Sequence, residues 1–389
     1  MMKYSLLCLL LFSFISFSCR SKPSEQAVGK NDTDANETQW ALLPFVKVDS
    51  VNPVLDPGTS TFICPIRKKE IAWEAKNVFN PAVTVRNDTM FMLYRAQDSI
   101  GKPGGTSRIG LAWSIDGMHF IRMPSPVLYP ANDAYKKYEW EGGCEDPRLV
   151  EDSSGLYYMT YTAFEGTTAR LLMATSTDLV HWTKYGSVFA KAYNGKYKDV
   201  WSKSGAIVSA YKDGKIIATK INGKYWMYWG DKYLWLATSD DLINWTPIET
   251  NGETQPYDSV YAGFNITSLK IVLPTRKGMF DADLVESGPP AMLTDKGILL
   301  FYNGRNVRAI GDTTLAEGAY TSAQVLFDIN DPSKIIKRMD HYFMKPEQPY
   351  ELTGEVNQVC FIEGLTQYKN KWWLYYGTAD SKVAVAVKE

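Results

Sequence analysis

The chain has 389 residues, with 42 basic and 43 acidic side chains and a formal net charge of -1. That balance leaves no basic field for a nucleic acid. With three histidines in all, a multi-histidine metal site or a Ser-His-Asp site is hard to build. The 12 Trp and 24 Tyr suit an all-β core, and they also suit sugar binding, because aromatic faces stack on pyranose C–H surfaces.

Residues 1–19 read as an export signal. Lys3 supplies a positive start, and Leu6 to Phe17 is an almost unbroken apolar run, too short for a comfortable membrane span. Ser16-Phe17-Ser18-Cys19 then resembles a lipobox, with Ser16 where Leu is usual, so Cys19 is the expected lipidation site and the expected link to a membrane. Residues 20–38, rich in Ser, Lys, Asn, Asp and Glu, read as a flexible tether. Export to the periplasm or cell envelope follows as the expectation. Cys64, Cys144 and Cys360 are odd in number and widely spaced, which gives no disulfide framework.

From residue 39 onward one pattern recurs five times. A polar turn leads into a short apolar strand ending in Tyr or Trp: Met90–Tyr94, Tyr157–Tyr161, Tyr225–Trp229, Ile298–Tyr302 and Trp372–Tyr376. The terminal aromatics lie 67, 68, 73 and 74 residues apart. A second pattern interleaves with it. Ala112-Trp113-Ser114-Ile115-Asp116 leads to Phe120, Ala174-Thr175-Ser176-Thr177-Asp178 leads to Trp182, and Ala237-Thr238-Ser239-Asp240-Asp241 leads to Trp245. Each reads as a strand, a tight Ser/Asp turn and a next strand; Val325-Leu326-Phe327-Asp328 is a weaker copy. Fixed-period similarity with several short strands per period predicts a β-propeller, and five copies predict five blades within a single domain over 39–389. In such a fold, chemistry gathers where the first strands meet a central channel.

The strongest candidate for chemistry is Gly142-Gly143-Cys144-Glu145-Asp146-Pro147-Arg148, which sets two adjacent carboxylates and an Arg at the mouth of the second repeat strand. Neighbouring strand residues point to opposite faces, so Glu145 and Asp146 share a face only if a turn or bulge intervenes, which Pro147 favours. Together with Asn80-Pro81-Ala82, Tyr94-Arg95-Ala96, Ser107-Arg108-Ile109-Gly110, Gly288-Pro289-Pro290 and Tyr376-Gly377-Thr378-Ala379-Asp380, this run resembles glycoside hydrolase family 130. The motifs fall in family order over residues 73–387. The family comprises β-mannoside phosphorylases and β-1,2-mannosidases and is similar to five-bladed propellers.

The resemblance implies that Asp146 is the general acid, its proton passing to the glycosidic oxygen through a mannosyl hydroxyl. Both reaction types invert the anomeric centre. Hydrolysis then needs a second carboxylate about 6.5–9.5 Å away to activate water, whereas phosphorolysis needs cations that hold phosphate. Where the phosphorylase pattern has an Arg after the third repeat strand, this chain has Trp229-Gly230-Asp231; where that pattern has His-Gly, it has Asn303-Gly304. Lys203 remains as a cation. These departures favour an inverting β-mannosidase, with β-1,2 linkages the expected substrate. Glu286 is the first choice for the base and Glu363 the second. Asp380 reads as a ligand of the sugar hydroxyls. Asn80, Arg95, Glu145, Arg148, Lys203 and Asn303 read as contacts to the sugar or as residues that orient Asp146. Asp146 must carry a proton near neutral pH: burial and Glu145 would raise its pKa, and Arg148 would lower it. No metal or other cofactor is implied. Two other readings stand beside this one: a phosphorylase yielding mannose 1-phosphate, and a lipoprotein that binds an oligosaccharide or glycan without turnover.

Overall fold

A computed structural model describes residues 39–389; the expected export signal, Cys19 and tether lie outside these residues. The chain is 46% strand and 3% helix. The strands fall into five antiparallel meanders of four strands each. The first is Asn77–Arg86, Thr89–Gln97, Ser107–Ser114 and Ile121–Arg122. The second is Gly143–Glu151, Tyr157–Phe164, Ala169–Ser176 and Thr183–Ser187. The third is Ala206–Ile207, Tyr225–Trp229, Leu234–Ser239 and Trp245–Pro247. The fourth is Leu284–Ser287, Gly297–Arg305, Tyr320–Phe327 and Ile335–Arg338. The fifth is Cys360–Tyr368, Lys371–Thr378 and Lys382–Lys388, and its fourth strand comes from the other end of the chain, Val46–Lys47.

All five repeat strands expected from sequence are second strands of meanders. Each is buried on both faces, which explains why it reads as an unbroken apolar run. Alternate side chains serve different cores: Met90, Met92 and Tyr94 enter one cluster, while Phe91 and Leu93 enter another. The clusters pair neighbouring meanders: first with second, second with third, third with fourth, fourth with fifth. The remaining cluster joins fifth to first, packing Trp373, Tyr375, Val383 and Val385 against Val78, Met90, Met92 and Tyr94. Packing between sheets thus follows the chain and returns to its start. Hydrogen bonding between these sheets is sparse. Single parallel bridges, such as Ser107 to Gly143, link some of them, and no sheet among the described residues closes into a barrel.

The Ser/Asp turns repeat atom for atom. Ser114, Ser176 and Ser239 Oγ accept from the backbone N–H three residues on, at 2.9, 2.9 and 3.0 Å. Asp116, Asp178 and Asp241 Oδ1 do the same, accepting from His119, His181 and Asn244. Two of the three histidines are thereby placed in exposed turns, and His341 is exposed as well.

A buried triad, not evident from sequence, recurs in four meanders. The Tyr of the second strand donates to a carboxylate in the segment before the first strand, and a cation of the fourth strand pairs with the same carboxylate. The sets are Tyr94–Glu74–Arg122, Tyr161–Glu139–Lys184, Tyr302–Asp281–Arg338 and Tyr376–Glu351–Lys47, with Tyr–carboxylate distances of 2.8, 2.8, 2.9 and 2.8 Å. In the third meander Trp229 takes the Tyr position and packs against Phe189 and Trp235. Deleting one member of such a buried set leaves the others desolvated without compensation. Glu351→Ala should therefore cost about 3–5 kcal/mol in urea unfolding, and replacing Glu351 and Lys47 together by apolar residues should recover much of it. A loss below about 1 kcal/mol, the scale of an exposed pair, would reduce the triads to incidental contacts.

Candidate active site

The site forms where first strands depart from regular pleating. The first strand of the first meander shifts register between Phe79 and Pro81, and Asn80 takes φ +47°. That of the second shifts between Glu145 and Arg148, and Asp146 takes φ +46°. Ser204, just ahead of the third meander, has φ +57°. The fifth shifts between Ile362 and Gly364, at Glu363. Pro81 and Pro147 offer no N–H to a ladder, so the bulges fall where pairing is already interrupted. A left-handed non-glycine residue costs on the order of 1–3 kcal/mol, a cost usually met at functional sites. Gly143 permits the approach that seats this strand: at φ +119°, any Cβ there would lie 2.2 Å from the Ser107 carbonyl oxygen.

The bulge brings Glu145 and Asp146 to one cation. Arg95 Nη2 reaches Glu145 at 2.7 Å, and its Nη1 reaches Asp146 Oδ1 at 3.0 Å, while the guanidinium lies over the Phe79 ring. Asn80 Nδ2 donates to the same Asp146 oxygen at 2.9 Å. On its other side, Lys203 Nζ stands 3.6 Å from Asp146 Oδ2 and 3.7 Å from Glu286 Oε1. Ser204 Oγ donates to that Glu286 oxygen. Asp380 lies in the turn after Lys371–Thr378, partly open to solvent, under the influence of Arg95 and Asp146. These residues come from all five meanders.

Two expected sugar ligands are otherwise engaged. Arg148 donates to the Ser287 and Gly288 carbonyls at 2.6 and 2.8 Å. Asn303 uses both amide atoms on the Ile362 backbone, accepting at 2.8 Å and donating at 3.0 Å. They brace the second meander to the fourth and the fourth to the fifth. Glu363 is fully buried, 3.6 Å from Arg148 Nη2. Ser204 went unnoticed although it adjoins Lys203. Also unforeseen were Trp201 and Tyr261, which donate to Asp231 at 3.0 Å from loops 30 residues away on either side.

Five carboxylates share this site with three cations, and burial raises most of the carboxyl groups. Glu145 and Glu286 lie above the ordinary glutamate value chiefly through burial, against the pull of Arg95 and Lys203 respectively. Burial, with Asp146 adding to it and Arg95 opposing, lifts Asp380 to about 6. Asp146 is the exception. Burial pushes it up, but Arg95, Lys203, the Asn80 hydrogen bond and Arg148 together hold it below the ordinary aspartate value. The proton expected on Asp146 near neutrality is therefore absent from the free site, because Arg95 and Lys203 outweigh burial and Glu145. Between pH 4 and 6 the folded chain binds more protons at Asp380 than the unfolded chain, so Asp380 makes stability fall as pH rises through that window. Asp380→Asn should flatten this part of the melting-temperature profile; an unchanged slope would assign the titration to another group.

A family profile described as β-1,4-mannooligosaccharide phosphorylase, glycoside hydrolase family 130, matches residues 59–389. A 1,2-β-oligomannan phosphorylase of Thermoanaerobacter sp. (strain X514) is 31% identical over 332 residues, covering 83% of this chain and 93% of that protein. A glycosyl hydrolase structure from Bacteroides ovatus aligns with a TM-score of 0.83 at 46% identity, over 90% of this chain and 95% of the other. A structure from work on hydrolases of the family that target β-1,2 mannosidic linkages in Candida mannan aligns with a TM-score of 0.83 at 45% identity, over 90% and 95%. The chain belongs to glycoside hydrolase family 130.

Proposed function

We propose that this protein hydrolyses β-1,2-linked mannosides with inversion, and that its five meanders are the blades of a propeller whose first strands surround the reacting sugar. The cyclic order of the cores and the origin of site residues in all five meanders support the propeller. The carrying observation for hydrolysis is that Asp146 and Glu286 both lie within 4 Å of one ammonium, that of Lys203. An ammonium that close to both keeps those two oxygens no more than about 7 Å apart, a limit that reaches the short end of the span between carboxyl groups of inverting glycosidases, about 6.5–9.5 Å. In this reading Asp146, charged with a proton on substrate binding, delivers it to the leaving oxygen through a mannosyl hydroxyl. Glu286 takes a proton from water as that water's oxygen bonds to the anomeric carbon. Ser204 and Lys203 favour the ionised form that a base requires. The 45%-identical structure from work on β-1,2-directed hydrolases supports the same reading. Export and a lipid anchor on Cys19 belong to the proposal too, since a phosphorylated product would be poorly recovered outside the cell.

Phosphorolysis is the second reading, and the names of the curated relatives favour it: the 31%-identical 1,2-β-oligomannan phosphorylase and a 29%-identical β-1,2-mannobiose phosphorylase. Against it, the cations near the site already have partners. Lys203 faces Asp146 and Glu286, and Arg305 pairs with Asp283, which Lys232 also approaches at 3.6 Å. A phosphate dianion would meet a surplus of carboxylates.

Mannose release from β-1,2-mannobiose, measured with and without phosphate, separates these readings. Phosphate-independent release is expected; release that requires phosphate and yields mannose 1-phosphate would establish the second reading, and binding without turnover would leave a glycan-binding protein. Asp146→Asn and Glu286→Gln should each lower kcat by about 10²–10⁴-fold with folding intact. Glu286→Gln with near-normal turnover would move the base elsewhere.

A further inference from the structure

Glu363 is the most unusual group in the site. Its side chain is fully buried at a bulge of the fifth meander, and neither carboxyl oxygen has a hydrogen-bond partner in the protein. Buried carboxyl groups are ordinarily hydrogen-bonded, because an unsatisfied one gives up its hydration with nothing in return, at greater cost when it is charged. Arg148 Nη2, 3.6 Å away, is beyond hydrogen-bond distance, and three of the guanidinium's donors go to the carbonyls of Ser287, Gly288 and Asp146. Asn80 Oδ1 is a second buried polar atom without a partner, on a side chain whose Nδ2 holds Asp146. Asn80 thus touches Asp146 directly, and Glu363 is linked to it through Arg148, which also donates to the Asp146 carbonyl.

Inverting hydrolysis leaves the two sides of the site in the wrong state. Each turnover takes a proton from Asp146 and deposits one on Glu286. Net protonation of the site is unchanged, but the proton must return across it before the next cycle. Resting on the acid and base roles assigned above, we propose that Glu363 is the proton store that recharges Asp146, handing over its own proton and then accepting the one left on Glu286. The O–H bond on Glu363 breaks as one forms on Asp146; a second transfer, from Glu286, restores it. Each transfer passes through a hydroxyl of water or sugar, which gives up one proton as it gains another, and no outside acid or base is consumed.

The surrounding charges agree. Burial drives the Glu363 carboxyl well above its ordinary value; Asp146 of the second meander and Glu286 of the fourth push it the same way, while Arg148 of the second and Lys203 of the third oppose. Glu363 thus holds its proton more tightly than Asp146 does. When a sugar displaces water from around Arg95 and Lys203 and engages them, their hold on Asp146 weakens and the transfer becomes favourable.

The test uses the whole chain. Infrared spectra at pH 8, above the Asp380 range, should show the absorption of a protonated carboxyl group in the wild type and its loss in Glu363→Gln. In β-1,2-mannobiose turnover the same variant should lower kcat at least tenfold with KM changed less than twofold. The alkaline limb of its kcat profile should move to lower pH, since Asp146 could then take a proton only from solvent. Absence of the protonated-carboxyl band from the wild type would overturn the proposal without any variant, and so would an unchanged pH profile in Glu363→Gln. If the wild type shows the band but releases no mannose under any condition, the assigned reaction fails while the buried proton stands.

Discussion

Most of the architecture depends on a carboxylate buried at the entrance to each of four meanders. The carboxylate anchors the segment before the first strand to the Tyr of the second strand and to the cation of the fourth. A single bonded group therefore spans the whole width of a sheet. It also fixes the approach of the chain to the bulge: Glu139 lies a few residues before Asp146, and its contacts with Tyr161 and Lys184 hold the loop from which the site strand starts. Placing a fully buried charge is costly in isolation, and the Tyr and cation offset that cost only while all three remain aligned. Such an arrangement favours one geometry over near alternatives, which a site built from five separate sheets requires. The third meander lacks the triad, and there the entrance loop is tied instead by Trp201 and Tyr261 to Asp231.

The site itself works against its own burial. Left-handed backbone at Asn80, Asp146 and Ser204 turns polar side chains away from regular sheet faces, and the resulting concentration of carboxylates exceeds the cations available. Protons make up the difference. They settle where burial outweighs the neighbouring cations, and the residue best surrounded by donors is the one left ionised. Chemistry at this centre is then a matter of moving protons among neighbours whose affinities are set by burial and by Arg95, Arg148 and Lys203.

The repeat was readable in the sequence because second strands are buried on both faces, which turns period-2 alternation into runs such as Met90–Tyr94 and Ile298–Tyr302. The Ser/Asp turns were readable because a short side chain bonding to its own backbone needs only local sequence. The expectation that a turn would let Glu145 and Asp146 act together followed from Pro147 and matches the bulge found there. Long-range contacts were not readable in the same way. The triad carboxylates precede their tyrosines by 20, 22, 21 and 25 residues, a spacing too loose to stand out without the partner from the fourth strand. The ionised state of Asp146 depends on Arg95, 51 residues earlier, and on Lys203, which only the fold brings beside it. Asn303 looked like a sugar ligand because it follows a repeat strand, but the neighbouring backbone at Ile362 claims it first.

The fourth strand of the fifth meander, Val46–Lys47, has a kinetic consequence. It pairs with Lys382–Lys388, and Asn52 beside it bonds the Val385 carbonyl 333 residues onward. Contacts of that sequence separation form slowly, since a loop of nearly the full chain length must close before they return any free energy. Val46–Lys47 and Lys382–Lys388 must wait for each other. Until they meet, the edge of Lys382–Lys388 and the flank of Lys47 stay open to mispairing with another copy.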